Sequence, residues 1–333
     1  MMRGLSALAI AFLLCCAAGS GAMAQDAAQE KLQGAPETSQ APAAGSSDGV
    51  VPAAPAGPPP DLAYGAFQRG LFLTALDEAL KRVKADPNDT AAMMLLGELY
   101  KDGLAVRRNP VEAARWHRLA ADRGDRQGQF ALGIAHLNGS GVPKDRKLAL
   151  EWLEKAAAQK HPGALYNLGV IAIDADIQDF PRASSLFREA ADLGDMDAAY
   201  GLSVLYREGT GVERDRAESV KWLKRAAEER HIAAMVEFAI ALFNGDSVEK
   251  NEQMAAKYFA RAAQANSPIA QNRLARLYAA GRGVKANNVE AMKWHILARA
   301  NGIKDEWLDG RLPTLSPPER QAVEEAVQRY IGN

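Results

Sequence analysis

The sequence predicts an all-α fold, a right-handed α-solenoid of about six helix-turn-helix repeats of 36 residues with capping helices at its N- and C-terminal ends. Three observations predict it. Glycines recur at Gly103, Gly139, Gly209, Gly245 and Gly281, with steps of 36, 70, 36 and 36. A large side chain recurs at Trp116, Trp152, Leu186, Trp222, Tyr258 and Trp294. Four residues after each comes a small pair (Ala120-Ala121, Ala156-Ala157, Ala190-Ala191, Ala226-Ala227, Ala262-Ala263), with Ala298-Arg299 closing the series.

Residues 1–24 read as a signal peptide. Arg3 gives a positive start, Leu5 to Ala18 an apolar stretch too short to span a bilayer, and Ala22-Met23-Ala24 a small-residue cleavage pattern. The expectation is an exported chain, resident in the periplasm or secreted beyond it, with no stable membrane insertion after cleavage. Cys15 and Cys16, the only cysteines, fall inside that signal. The mature chain is therefore expected to form no disulfide, thiolate nucleophile or cysteine-ligated metal site. Residues 25–60 hold seven of the 16 prolines and no aromatic residue, the composition of a disordered linker.

Residues 61–90 predict an N-terminal helix or half-repeat, ended by the turn Asp86-Pro87-Asn88-Asp89. Residues 91–302 predict the repeats, each of two helices. The first has apolar positions at helical spacing, as in Leu96-Gly97 and Leu99-Tyr100, and stops at a glycine turn such as Gly139-Ser140-Gly141-Val142. Asn109, Asp145, Asp215, Asn251 and Asn287 are placed to cap the second helix. Glu112, Glu218 and Glu290, three residues past their caps, predict capping boxes. The small pair should let the second helix approach its neighbours, with the Trp or Tyr filling the space between repeats. Residues 303–333 predict a capping segment, with Ser316 opening a last helix from Pro317 to about Tyr330.

This arrangement of Leu-Gly, Tyr, Gly-x-Gly-Val, Asp, Ala, Trp and Ala-Ala resembles the Sel1-like repeat family, a relative of the tetratricopeptide repeats, over about residues 91–302. Ala105 and Ser247 replace the second turn glycine in repeats one and five. Repeat three is two residues short and carries Asp174 to Pro181 in place of the glycine turn, so a local change in the superhelix is expected there. The resemblance implies a protein that binds other proteins as adaptor, assembly factor or signalling regulator, without catalysis or cofactor. The alternative it implies is a hydrolase of cell-wall material or β-lactams, as in cysteine-rich relatives.

Chemistry-bearing motifs are sparse. With 40 basic and 41 acidic residues the net charge is -1, which argues against nucleic acid as a partner. Ser247-Val248-Glu249-Lys250 matches a Ser-x-x-Lys acyltransferase spacing, but it sits in a repeat turn and no Lys-Thr-Gly follows. His161 and His231 share one repeat position at the end of the second helix, where a basic residue suits the helix dipole, and His117 and His295 each follow a tryptophan. None has metal-ligand spacing. Asp174, Asp176 and Asp179 lack the glycine and closing glutamate of a calcium loop.

A second apolar stripe on the first helices is more informative. It comprises Phe130 and Ile134 in repeat two, Tyr166 and Val170 in three, Tyr200, Val204 and Arg207 in four, and Ile240 and Phe243 in five, with Arg276 in six. In tetratricopeptide-type folds that direction lines the concave surface. The stripe is either an open groove for a partner peptide or helix, with Tyr166, Tyr200 and Phe243 as anchors and Arg207 and Arg276 as polar contacts, or core between successive first helices. With capping helices at both ends, a monomer is expected.

Overall fold

The computed structural model describes residues 61–174 and 176–332. The signal peptide and linker expected over residues 1–60 lie outside them. Among the described residues there are 16 α-helices and no strand. Before the repeats come α1 (Leu62–Gln68) and α2 (Phe72–Ala85). Six pairs follow: α3 (Thr90–Asp102) and α4 (Pro110–Asp122); α5 (Arg126–Asn138) and α6 (Arg146–Ala158); α7 (Pro162–Ile173) and α8 (Phe180–Asp192); α9 (Met196–Glu208) and α10 (Arg216–Glu228); α11 (Ile232–Asn244) and α12 (Glu252–Gln264); α13 (Pro268–Ala280) and α14 (Asn288–Ala300). A one-turn α15 (Glu306–Asp309) and the last helix α16 (Pro317–Ile331) complete the chain. The structure divides between Leu165 and Tyr166 into two compact units, in each of which helices pack against their neighbours in chain order as in an α-solenoid.

The same hydrogen bonds start every repeat helix. Second helices open on Asn109, Asp145, Asp179, Asp215, Asn251 and Asn287, whose side chains accept from the amide three residues on. The amides of these same residues donate back across the turn to Tyr100, His136, Ala172, Tyr206, Leu242 and Tyr278. Repeat three, two residues short, still closes this bond, from Asp179 to Ala172 at 2.8 Å. Because the cap amide is occupied, the expected capping boxes do not form. The Glu218 and Glu290 carboxylates turn forward instead and accept from the indole N–H of Trp222 and Trp294, both at 3.1 Å.

Inside a repeat, the first helix offers a small residue to a large one from the second. A Cβ added to Gly97 would lie 2.3 Å from the His117 ring, one on Gly133 2.9 Å from Leu153, and one on Gly169 2.6 Å from Phe187. Ser203, Ala239 and Ala275 hold the same place in the later repeats and are buried, as are Leu223, Phe259 and His295 opposite. The side chain that fills each repeat is thus the residue after the recurrent Trp or Tyr. Of the recurrent Trp or Tyr residues themselves, Trp116 and Trp152 are half-buried, whereas Trp222, Tyr258 and Trp294 are buried as well. Burying a Leu or Phe in this way contributes about 1.5–3 kcal/mol.

Successive repeats also meet at a turn. A Cβ on Gly141 would lie 1.9 Å from the Pro110 carbonyl oxygen, and one on Gly283 2.1 Å from that of Glu252, in each case the first residue of the preceding second helix. Both glycines have positive φ, 75° and 67°. Ala105 and Ser247 hold the equivalent turn position at φ 65° and 57°, a conformation that costs a residue with Cβ about 1–2 kcal/mol.

The ends differ from expectation in detail. The single N-terminal helix expected from Asp61 to Ala85 is two, because Gly70 turns the chain at φ 73°. Arg82 ties them to repeat one by pairing with Asp61, which caps α1, and Asp89, which caps α3. At the other end Ser316 opens α16 as expected, with its amide and hydroxyl both donating to Glu319. The Tyr330 hydroxyl donates to the Ala263 carbonyl oxygen at 3.2 Å, holding α16 to the end of α12.

Gly141→Ala should cost about 3 kcal/mol, since overpacking against backbone adds to the left-handed penalty. Ala105→Gly and Ser247→Gly should each gain about 1 kcal/mol. Urea unfolding midpoints of the three variants check both signs.

Candidate functional site

In the first unit, Phe130 and Ile134 on α5 are half-buried, and the Phe130 ring stacks on His161 at 4.3 Å. In the second unit, Tyr166 is 7% exposed and stacks on Phe187, Tyr200 is 1% exposed, and Val204 is 1% exposed. These three side chains are core and do not face an open groove. Their burial corrects the expectation that Tyr166 and Tyr200 are anchors.

Tyr166 is closed over within its own repeat by Phe187, and Tyr200 by the residue that opens the next first helix. His161 and His231 do not serve the end of a second helix. They cap α7 and α11, each Nδ1 accepting from the amide three residues on, Ala164 or Ala234, at 3.1 Å. Their flat rings then cover the aromatic side chain of the preceding first helix, as His231 covers Tyr200 at 4.8 Å. Tyr200 completes its burial by donating to Glu237 Oε1 at 2.7 Å, while the Arg207 guanidinium bonds the other oxygen of that carboxylate. Burial first, and then the Glu237 charge, push the Tyr200 hydroxyl well above its usual pKa of 10, so it remains a donor. Arg207, expected as a partner contact, is a buttress of this network.

The stripe opens farther along the same unit. Val170 and Ile240 are half-buried. Ile240 and Phe243 on α11 form part of a cleft of about 550 Å³ with Phe259, Leu277, Arg273 and Trp307. Trp307 lies on α15, which sequence patterning missed because a single helical turn has no periodicity. The Asp305 side chain caps α15 by accepting from the Leu308 amide at 3.3 Å. It also accepts two hydrogen bonds from Arg276, at 2.6 and 2.8 Å, and one from Asn272 at 2.7 Å. Burial opposes ionisation of Asp305, but these donors outweigh it and hold its pKa at about 2. Arg276, exposed as expected of a concave polar residue, therefore fixes the segment that carries Trp307.

Positive charge borders the apolar floor. The Arg282 guanidinium lies 4.2 Å from the Phe243 ring centre and pairs with Glu252. Elsewhere the motifs weighed for chemistry are engaged in structure. Ser247 is exposed on its turn and Lys250 lies 3.3 Å from Glu252. Asp179 caps α8. His136 Nδ1 is 3.1 Å from the Pro143 carbonyl oxygen, and His295 Nε2 is 3.0 Å from Asp309.

Comparison with known proteins places this architecture. The Sel1 repeat model matches residues 90–125, 126–161, 162–195, 197–231, 232–267 and 268–303. The chitin synthase regulator SKT5 of Saccharomyces cerevisiae is 30% identical over 218 residues, which cover 61% of this chain and 31% of that protein. The exopolysaccharide production negative regulator of Rhizobium leguminosarum bv. viciae is 26% identical over 166 residues, covering 44% of this chain and 62% of the relative. The chain thus spans less than two thirds of either regulator. The crystal structure of a Sel1 repeat protein from Oxalobacter formigenes has a TM-score of 0.67 at 28% identity, over 72% of this chain and 98% of that one.

Two outcomes follow from these contacts. Burial, with Arg126 adding to it, lowers the His161 pKa below 6.5, so the folded state favours the neutral cap. Its contribution is complete above pH 6.5 and is lost as pH falls through that value toward the lower folded pKa. Wild-type Tm should therefore drop more on acidification below pH 6.5 than that of His161→Asn, which keeps a capping oxygen without the titration. Asp305→Ala should cost about 2 kcal/mol by removing charge-assisted hydrogen bonds. It should also free the Trp307 segment, read as faster tryptic cleavage at Lys304 and Arg311.

Proposed function

The chain belongs to the Sel1 repeat family, and on that premise we propose that it is a non-catalytic scaffold or regulator that binds a partner peptide or helix through the open part of its concave side. The observation that carries this reading is the cleft around Phe243, which leaves an apolar floor accessible. The names of two relatives, a chitin synthase regulator and a negative regulator of exopolysaccharide production, support a regulatory role exerted on another protein. Ile240 and Phe243 are the contacts retained from the predicted stripe, joined by Phe259, Leu277 and Trp307. The protein acts in the periplasm, delivered by the signal read in residues 1–24.

Site-specific photo-crosslinking in cells tests this reading. A photoreactive residue in place of Phe243 should give a discrete higher-mass adduct in the periplasmic fraction, and one in place of Tyr200 should give none. Equal labelling from both positions, or no adduct from position 243, would overturn the cleft. Recovery of the chain only in the cytoplasm would overturn the location.

A further inference from the structure

The chemistry of the cleft narrows the partner. No carboxylate is among its lining residues, and Asp305, Glu252 and Asp246 are bonded to residues that are: Asp305 to Arg276, Glu252 to Arg282, and Asp246 to Asn244. Every charged residue that lines it is an arginine. Arg276 and Arg311 flank the Trp307 ring at 5.6 and 4.9 Å, Arg282 covers Phe243, and Arg273 stands exposed on the cleft wall. Among the described residues Arg273 has no carboxylate, amide or aromatic partner. An exposed unpaired cation on the wall of an apolar cleft has an electrostatic field complementary to an anion held beside an apolar group.

We infer that the cleft takes an acidic peptide segment of another protein, inserting one aromatic or branched apolar side chain between Phe243 and Trp307 while an adjacent Asp or Glu pairs with Arg273. This rests on the scaffold reading above and goes beyond it in naming the partner's chemistry and the residue that selects it. The volume suits such a segment: about 550 Å³ admits one or two large side chains and is too small for a folded domain. Arg276 and Arg282 already hold internal carboxylates, so their charge is partly spent, whereas Arg273 can form a charge-assisted bidentate hydrogen bond to a carboxylate. Discrimination therefore centres on Arg273, and the apolar floor supplies affinity without regard to charge.

Selection from a random displayed peptide library on the full chain, beside the same selection on R273E, tests the assignment. The wild-type bait should enrich Asp or Glu next to Phe, Trp, Leu or Ile. R273E, a surface change that leaves the floor intact, should shift enrichment toward Lys or Arg at that place. An enriched peptide should lose roughly tenfold in affinity when its acid is replaced by the amide, the size of one charge-assisted hydrogen bond. Its binding to wild type should weaken with added salt. F243A should abolish selection for either charge.

Enrichment without charge bias, or with the same bias on both baits, would overturn the inference while Phe243 crosslinks in cells would leave the scaffold reading standing. Failure of any peptide to bind beside persistent crosslinks would likewise overturn it, in favour of a folded partner. Binding that emerges only after deletion of residues 25–60 would assign the cleft to the chain's own proline-rich segment, again against the inference. Loss of both crosslinks and selected peptides would defeat the two readings together.

Discussion

The fold depends on one steric arrangement repeated along the chain. The ninth residue of each first helix, counting from its cap, must be small enough to receive the ninth residue of the second helix, counted in the same way. Gly97, Gly133 and Gly169 leave room in which even a methyl group would collide with His117, Leu153 or Phe187. Each repeat thereby becomes a tightly packed hairpin whose remaining apolar face can be covered only by a neighbour. The alanine pairs, buried except for half-buried Ala157, serve that second contact, and the turn residues Gly141 and Gly283 serve it again where backbone meets backbone.

Departures from this arrangement create the candidate site. Counting one period on from Ser267, the residue due to cap a further first helix is Ile303, and isoleucine has no oxygen with which to do so. Its amide still makes the expected bond to Ala298 at 3.1 Å, but the helix begins later, at Asp305, and lasts one turn. A four-residue helix cannot cover α13 as a 13-residue one would, and Phe243, Leu277 and Trp307 are left around a space instead of around another helix. Electrostatics then fixes the shortened segment: Asp305 is buried, yet stays ionised because Arg276, Asn272 and the Leu308 amide all donate to it.

In repeat four the same stripe closes over Tyr200 and Val204. A histidine cap is large enough to cover the aromatic ring of the preceding first helix, and in repeat four the Tyr200–Glu237–Arg207 network seals the remaining polar groups. Repeats five and six begin on His231 and Ser267 respectively, and serine has no ring to place over its neighbour. At Phe243, then, neither a capping ring nor a full following helix lies over the stripe.

Much of this architecture was legible in the residue order. The period, the helix pairs, the caps at Asn109 through Asn287 and the Ser316-capped last helix all follow from local rules, because backbone hydrogen bonding and glycine conformation are decided within a few residues. The second role of the first-helix caps was less legible, since a histidine accepting through Nδ1 looks in sequence like a cation suited to a helix end. Which of two adjacent large residues, Trp222 or Leu223 for example, fills a repeat depends on a rotation of one residue about the helix axis, and both satisfy the same pattern. The division of one apolar stripe into buried Tyr166 and Tyr200 and accessible Phe243 belongs wholly to tertiary structure. Exposure is set by what a distant segment places overhead, and no property of the stripe itself records whether its cover is a ring, a whole helix or a single turn.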